Sequence, residues 1–138
     1  METDWGGRLD TKPENCQGIL KGIPTILNIL KKYNIKSTFF ISGNILYEYR
    51  EIILRILRQG HEIASHGYNH TDYSKLLKSD LNYELQKSKE VLEEITDKEV
   101  KGMRTPQFKT NKHLYNNLKE IGYSYDSSVR YTKHKIQE

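Results

Sequence analysis

The sequence predicts an α/β fold built on a parallel sheet, and three observations carry that expectation. Short apolar, β-rich runs alternate with segments of helical periodicity. The connections between them are only a few residues long, as in strand–helix–strand units. Polar residues able to do chemistry cluster at the ends of the β-rich runs, where parallel sheets place their ligands.

The first regular element is announced by Gly22-Ile23-Pro24, because proline at the start of a helix gives up an N–H that would be unpaired there anyway. Ile23, Ile26, Leu27 and Leu30 recur at helical spacing, so a helix of about three turns is expected to end near Tyr33-Asn34. In "IKSTFFISG", Thr38 to Ile41 form a β-rich run closed by Gly43, a buried strand. Helical periodicity returns over 45–58 through Ile45, Leu46, Tyr49, Ile52, Ile53, Ile56 and Leu57, with Gly60 as the stop. "HEIAS" reads as the next strand and "KSDLNYELQKSKEVLEEIT" as an amphipathic helix with Ser79 as its N-cap. "VKGMRTP" is a strand ended by Pro106, and a helix near 111–121 follows, with Thr110 or Asn111 as cap. "GYSYDSSV" closes the series as a strand with Asp126 near its carboxyl end.

Composition excludes several classes. A chain of 138 residues is long enough for one core and short for two, so a single domain over 1–138 is expected. The net charge of +4 comes from basic residues scattered among acids, without a basic block or an RNA-binding aromatic signature, which argues against a nucleic-acid partner. Apolar stretches are interrupted by Lys, Arg or Glu every few residues, so no membrane span is expected. The N-terminus lacks a basic start followed by an apolar segment, so the sequence as written is expected to be cytoplasmic, any export signal lying upstream. The lone Cys16 has no partner for a disulfide or a metal-binding pair.

The polar residues at strand ends carry the functional reading. His66 and His70, in "HEIASHGYNH", stand four apart just after one strand. Arg104 stands at the end of the next strand and Asp126 at the end of the last, so three successive strands aim polar groups at one rim. Near the start, "METDWGGR" places Glu2 and Asp4 ahead of Trp5 and a glycine pair, where a first strand should be finishing. A carboxylate with two imidazoles is a sound set for a catalytic divalent metal that keeps positions open for water and substrate.

The set "STFFISG", "GHEIASHGYNH", "RTPQF" and "GYSYDSS", in that order, resembles the polysaccharide deacetylase family, also called the NodB-homology domain. The match runs over nearly the whole chain, and "ETDWGG" looks like the first acidic motif of a variant branch. The resemblance implies a distorted, parallel-stranded (β/α) barrel and metal-dependent removal of N-acetyl groups from amino-sugar polysaccharides or oligosaccharides. It implies His66 and His70 as imidazole ligands, Glu2 or Asp4 as the carboxylate ligand, and zinc as the metal. Arg104 would orient a catalytic aspartate, Asp126 would support the acid, and Trp5, Pro106 and Phe108 would line the substrate site.

The sequence also departs from that pattern. The family's catalytic base would precede Glu2, and its late histidine motif would follow further elements beyond Asp126, so the domain is expected to be truncated at both ends. His134 stands in no matching context and reads as a surface residue. Without base and acid, little turnover is expected of these 138 residues. Two alternatives therefore stand beside the deacetylase: a metal- or sugar-binding remnant without turnover, and a hydrolase of other linear or cyclic amide C–N bonds.

Overall fold

The computed structural model describes residues 18–129. Glu2, Asp4, Trp5, Cys16 and His134 lie outside the described residues. The elements alternate: α1 (Ile23–Lys32), β1 (Thr38–Ile41), α2 (Arg50–Arg58), β2 (Glu62–Ser65), α3 (Lys78–Thr96), β3 (Gly102–Met103), α4 (Leu114–Ile121) and β4 (Tyr125–Asp126). The four strands form one sheet in the order β1-β2-β3-β4, and every pairing is parallel. Among the described residues the sheet is open.

Helix ends explain why α1, α2 and α4 feed straight into a strand. After α1, the N–H groups of Asn34 and Ile35 return to the carbonyls of Lys31 and Leu30 at 3.1 and 2.9 Å, with Asn34 in the left-handed region at φ 53°. After α2, Gly60 and His61 return to Leu57 and Ile56 in the same way, with Gly60 at φ 76°. Gly122 and Tyr123 repeat it after α4. This motif satisfies the last carbonyls and reverses the chain sharply, which favours glycine or asparagine at the left-handed position. The stops expected near Asn34 and at Gly60 are therefore found where the sequence placed them.

Strand alternation sorts the side chains. Phe39, Ile41, Ile63 and Met103 join the core with Leu27 of α1, Ile53 and Ile56 of α2 and Leu114 and Leu118 of α4. The long helix α3 lies under β2 and contributes Leu81, Leu85 and Leu92, all fully buried. Each such side chain contributes about 1.5–3 kcal/mol by leaving water, so Leu85→Ala would cost about 2–5 kcal/mol. The other sheet face carries Thr38 and Glu62, joined by a 2.6 Å hydrogen bond from the threonine hydroxyl. Tyr125 crosses the side-chain-free Gly102 to donate to the other oxygen of Glu62 at 2.8 Å.

Three boundary expectations change. Helix α3 begins at Lys78 with Leu77 at the cap, and the Ser79 hydroxyl turns to Asp80 at 3.4 Å instead of capping the helix. The α2 segment opens with a short 3-10 turn over Gly43–Ile45 and becomes α-helical only at Arg50. Helix α4 begins at Leu114 with His113 at the cap. Asn111 still shapes that entry: its side-chain oxygen accepts from the His113 N–H at 3.0 Å, and its amide donates to the carbonyls of Tyr73 and Leu76.

Candidate functional site

The carboxyl ends of β2, β3 and β4 present His66, Arg104 and Ser127 one position beyond the paired residues. The backbone bonds continue the parallel pattern: His66 N–H to Ile41, Arg104 N–H to Ser65 and Ser127 N–H to Met103, at 3.0, 2.9 and 2.8 Å. His66 is fully buried, and its Nδ1 lies 2.8 Å from the carbonyl oxygen of Arg104. A carbonyl only accepts, so Nδ1 carries the hydrogen, and in the neutral form of the ring the lone pair is then on Nε2. His70 is half-buried, with its ring centre 5.0 Å from that of His66 at an interplanar angle of 62°. The structure thus brings together the two imidazoles that the sequence singled out.

The loop between them is held from three sides. Gly43 and Asn44, just after β1, donate their N–H groups to the carbonyls of Gly67 and Tyr68 at 2.8 and 3.0 Å. The Ser65 hydroxyl accepts from the Gly67 N–H at 3.2 Å. From α3, the Glu84 carboxylate accepts the N–H groups of Tyr68 and Asn69, both at 2.9 Å, and the Asn69 side-chain amide at 2.8 Å. Gly67 sits at φ 77°, and a Cβ there would strike the hydroxyl of the fully buried Tyr73. Only glycine fits both the conformation and the space.

Arg104 is half-buried, with its guanidinium 4.2 Å from the Phe40 ring centre and 5.4 Å from that of Phe108, a cation–π contact with each ring. Its Nη2 donates to the Ser127 hydroxyl at 2.7 Å and its Nε to the Ser127 carbonyl at 3.3 Å. Pro106 is buried in the turn that follows, and Gln107 and Phe108 both adopt positive φ, 55° and 58°, which turns Phe108 back over the arginine. Two adjacent left-handed residues other than glycine are uncommon and mark a position fixed by its surroundings.

Asp126 stands beside Met103 in the ladder, one step short of the Arg104 level. Its Oδ1 accepts from the N–H and the hydroxyl of Ser128, whose hydroxyl in turn accepts from the Thr105 N–H at 2.9 Å. The structure therefore ties Asp126 to the chain after β4 and makes no ion pair between it and Arg104. His61, at the opposite end of β2, packs its ring 5.4 Å from Phe39 and accepts the Ser37 N–H. Burial, with the nearby Lys36 charge, lowers its pKa and keeps it neutral, so this histidine is part of the packing. Among the described residues, no group of three or more His, Cys, Asp or Glu side chains is placed to hold a metal, and the carboxylate expected from Glu2 or Asp4 lies outside them.

The sequence model for polysaccharide deacetylases matches residues 14–125. The chain belongs to the polysaccharide deacetylase family. A peptidoglycan deacetylase of Helicobacter pylori is 29% identical over 128 residues, covering 91% of this chain and 43% of that protein. A Mycobacterium smegmatis structure assigned to the polysaccharide deacetylases superposes with a TM-score of 0.81 at 35% identity, covering 88% of this chain and 43% of that one. A CE4 family pseudoenzyme from Bacillus anthracis superposes at 0.72 with 25% identity, over 75% of this chain and 37% of that one. The parallel α/β architecture is thus that of the deacetylase fold, and this chain spans less than half the length of each of these relatives.

Sequence reasoning missed three contributors to this deacetylase rim: Glu84, Tyr73 and Ser127. Glu84 did leave a signal, since it is an acid inside the buried stripe Leu81, Leu85, Ser88 and Leu92 of α3. An acid at such a position needs polar partners from elsewhere in the fold, here the loop between the histidines. Ser127 and Tyr73 left none, because their roles depend on strand register and on a turn that the periodicity does not reveal.

Proposed function

We propose that this domain belongs to a metal-dependent hydrolase that removes N-acetyl groups from an amino-sugar polymer, with His66 and His70 as two ligands of a zinc ion. The observation that carries the reading is the fixed imidazole pair at the sheet rim of a polysaccharide deacetylase chain. The donor set fits the metal: two neighbouring imidazoles, one with its Nδ1 engaged so that Nε2 is the remaining donor, are ligands of the type that zinc takes. The hydrogen bond from His66 Nδ1 to the Arg104 carbonyl is the contact that ligating histidines usually make, since it aims the opposite nitrogen and raises its basicity. Glu2 or Asp4 would supply the carboxylate. When bound, such a metal activates water and polarises the acetyl carbonyl.

The chain's own residues frame that chemistry. Arg104 sets its planar guanidinium against the Phe40 and Phe108 rings and bonds it to Ser127, which leaves it little freedom. It would offer an N–H to a carboxylate at the site and hold that group ionised. Phe108 and Pro106 form an apolar edge beside it, suited to the face of a sugar ring. Peptidoglycan is the favoured polymer, because the H. pylori relative named for that activity matches 91% of the chain.

A second reading is favoured by one comparison: a metal- or sugar-binding domain without turnover, as the match to a pseudoenzyme suggests. Metal analysis of the purified chain, with acetate release measured on peptidoglycan and chitooligosaccharides, separates the two. The deacetylase reading expects about one zinc per chain and, once segments carrying the family's base and acid are joined to it, acetate release that His66→Ala abolishes. Zinc held without acetate release would favour the second reading, and equal, negligible zinc in wild type and His66→Ala/His70→Ala would sink both metal readings.

A further inference from the structure

We propose that Glu84 is a positioning residue that sets the geometry of the His66–His70 pair for its metal, a role that rests on the metal reading above. Glu84 is 5% exposed and lies on α3, outside every motif that suggested the function. No Lys or Arg pairs with it among the described residues; its acceptor capacity goes to three N–H groups of the loop between the histidines. Oε2 takes the backbone N–H groups of Tyr68 and Asn69, and Oε1 takes the Asn69 side chain. With the Gly67 and Tyr68 carbonyls already held by Gly43 and Asn44, the backbone is pinned on both sides just before His70. His70 itself sits at φ 56°, in the left-handed region that few non-glycine residues occupy. The separation of the two rings is therefore set by a carboxylate on another element.

A carboxylate suits this loop. All three partners donate, and a carboxylate accepts at both ends with a charge that strengthens each bond. An isosteric glutamine keeps the two backbone bonds only on a neutral oxygen and makes the third only if the Asn69 amide turns over, so the hold on the loop is weakened. Loosening the loop would leave His66, anchored to β2 and to Arg104, in place while His70 drifts.

The test measures zinc affinity by competition with a chromophoric chelator, and the Co(II) d–d spectrum, on the full chain. Variants are Glu84→Gln, Glu84→Ala, His70→Ala and Asn117→Ala, the last a buried polar residue on α4 whose amide donates to the Lys78 carbonyl. Glu84→Gln should weaken zinc about tenfold and Glu84→Ala about 10–100-fold, with altered Co(II) bands and faster amide exchange at Tyr68 and Asn69. Asn117→Ala should melt earlier yet keep wild-type zinc affinity, which distinguishes positioning from general stability. If Glu84→Ala does not fold, Glu84→Gln decides. A folded Glu84→Gln with wild-type affinity and spectrum overturns the positioning role and leaves the metal reading standing, as does Asn117→Ala weakening zinc equally. Absence of zinc binding in wild type and His70→Ala alike removes the metal reading and this proposal together.

Discussion

The imidazole Nδ1 of His66 donates to the main-chain carbonyl of Arg104 at 2.8 Å, so two motifs 38 residues apart share one hydrogen bond. That bond makes the two histidines unequal. Removing the His66 ring leaves a part-buried carbonyl without this donor and a void at the end of β2, whereas His70 is half-buried in the loop. Both His66→Ala and His70→Ala should abolish zinc binding. In the metal-free state His66→Ala should cost about 1–3 kcal/mol and His70→Ala distinctly less, read from urea midpoints. Equal losses would show that the Arg104 contact contributes nothing to the fold.

Gly67 and Tyr73 make a second coupled pair. Gly67→Ala places a methyl against the Tyr73 hydroxyl and forces alanine to φ 77°, so it should destabilise by about 2 kcal/mol or more. Tyr73→Phe removes the obstructing oxygen while keeping the buried ring. The double variant should therefore be more stable than the sum of the single effects predicts, with a coupling of about 0.5–2 kcal/mol. Strict additivity would place the whole cost in the backbone conformation.

Asp72 ties the loop after His70 to the turn after Arg104. Its carboxylate accepts from Lys109 at 2.7 Å and from the Ser74 N–H and hydroxyl at 3.1 and 2.6 Å. The Lys109 bond first, then those from Ser74, lower its pKa from the usual 3.8 to about 2. A depressed folded-state pKa means stabilisation that is present above about pH 4 and is lost as pH falls toward 2. Asp72→Asn should therefore lower the urea midpoint at pH 7, with the difference shrinking as the pH drops through that window. Added salt should shrink it too, since the pair faces solvent. A gap between wild type and variant that stays constant from pH 7 to 2.5 would rule out this linkage.

Much of the fold was legible because its signals are local. Helical periodicity, the left-handed stops at Asn34 and Gly60, and apolar runs ended by polar residues fixed the element order and the rim where His66 and Arg104 meet. Non-local features were harder. Only two residues each of "VKGMRTP" and "GYSYDSSV" pair as strand, because pairing depends on the neighbouring strand and not on the run itself. Ser79 lost its capping role when the helix began one residue before it, at Lys78. Arg104 was readable by type and position, yet its partner Ser127 follows from register across β3 and β4. Glu84 is an acid inside the apolar stripe of α3, yet the loop it holds follows only from the tertiary fold.

Gly102 gives the last prediction. On the sheet face away from the helices, the Tyr125 ring lies over Gly102 so closely that a Cβ would overlap it. That approach lets the phenol reach Glu62, which also accepts from Thr38, so one carboxylate links side chains of β1, β2 and β4 across β3. Burial first, then the Glu62 hydrogen bond, raises the Tyr125 pKa to about 12. Gly102→Ala must push the ring aside and break that bond, at a cost of about 1–3 kcal/mol. In wild type the phenol should titrate near pH 12 by absorbance; in Gly102→Ala it should return toward about 10. The sign follows from linkage: a raised tyrosine pKa stabilises below about pH 10 and that contribution is lost as pH rises toward 12, so the variant should lose less stability than wild type across this window. An unchanged titration in a folded Gly102→Ala would mean that the ring keeps Glu62 by another route, and glycine would then not be required for the link.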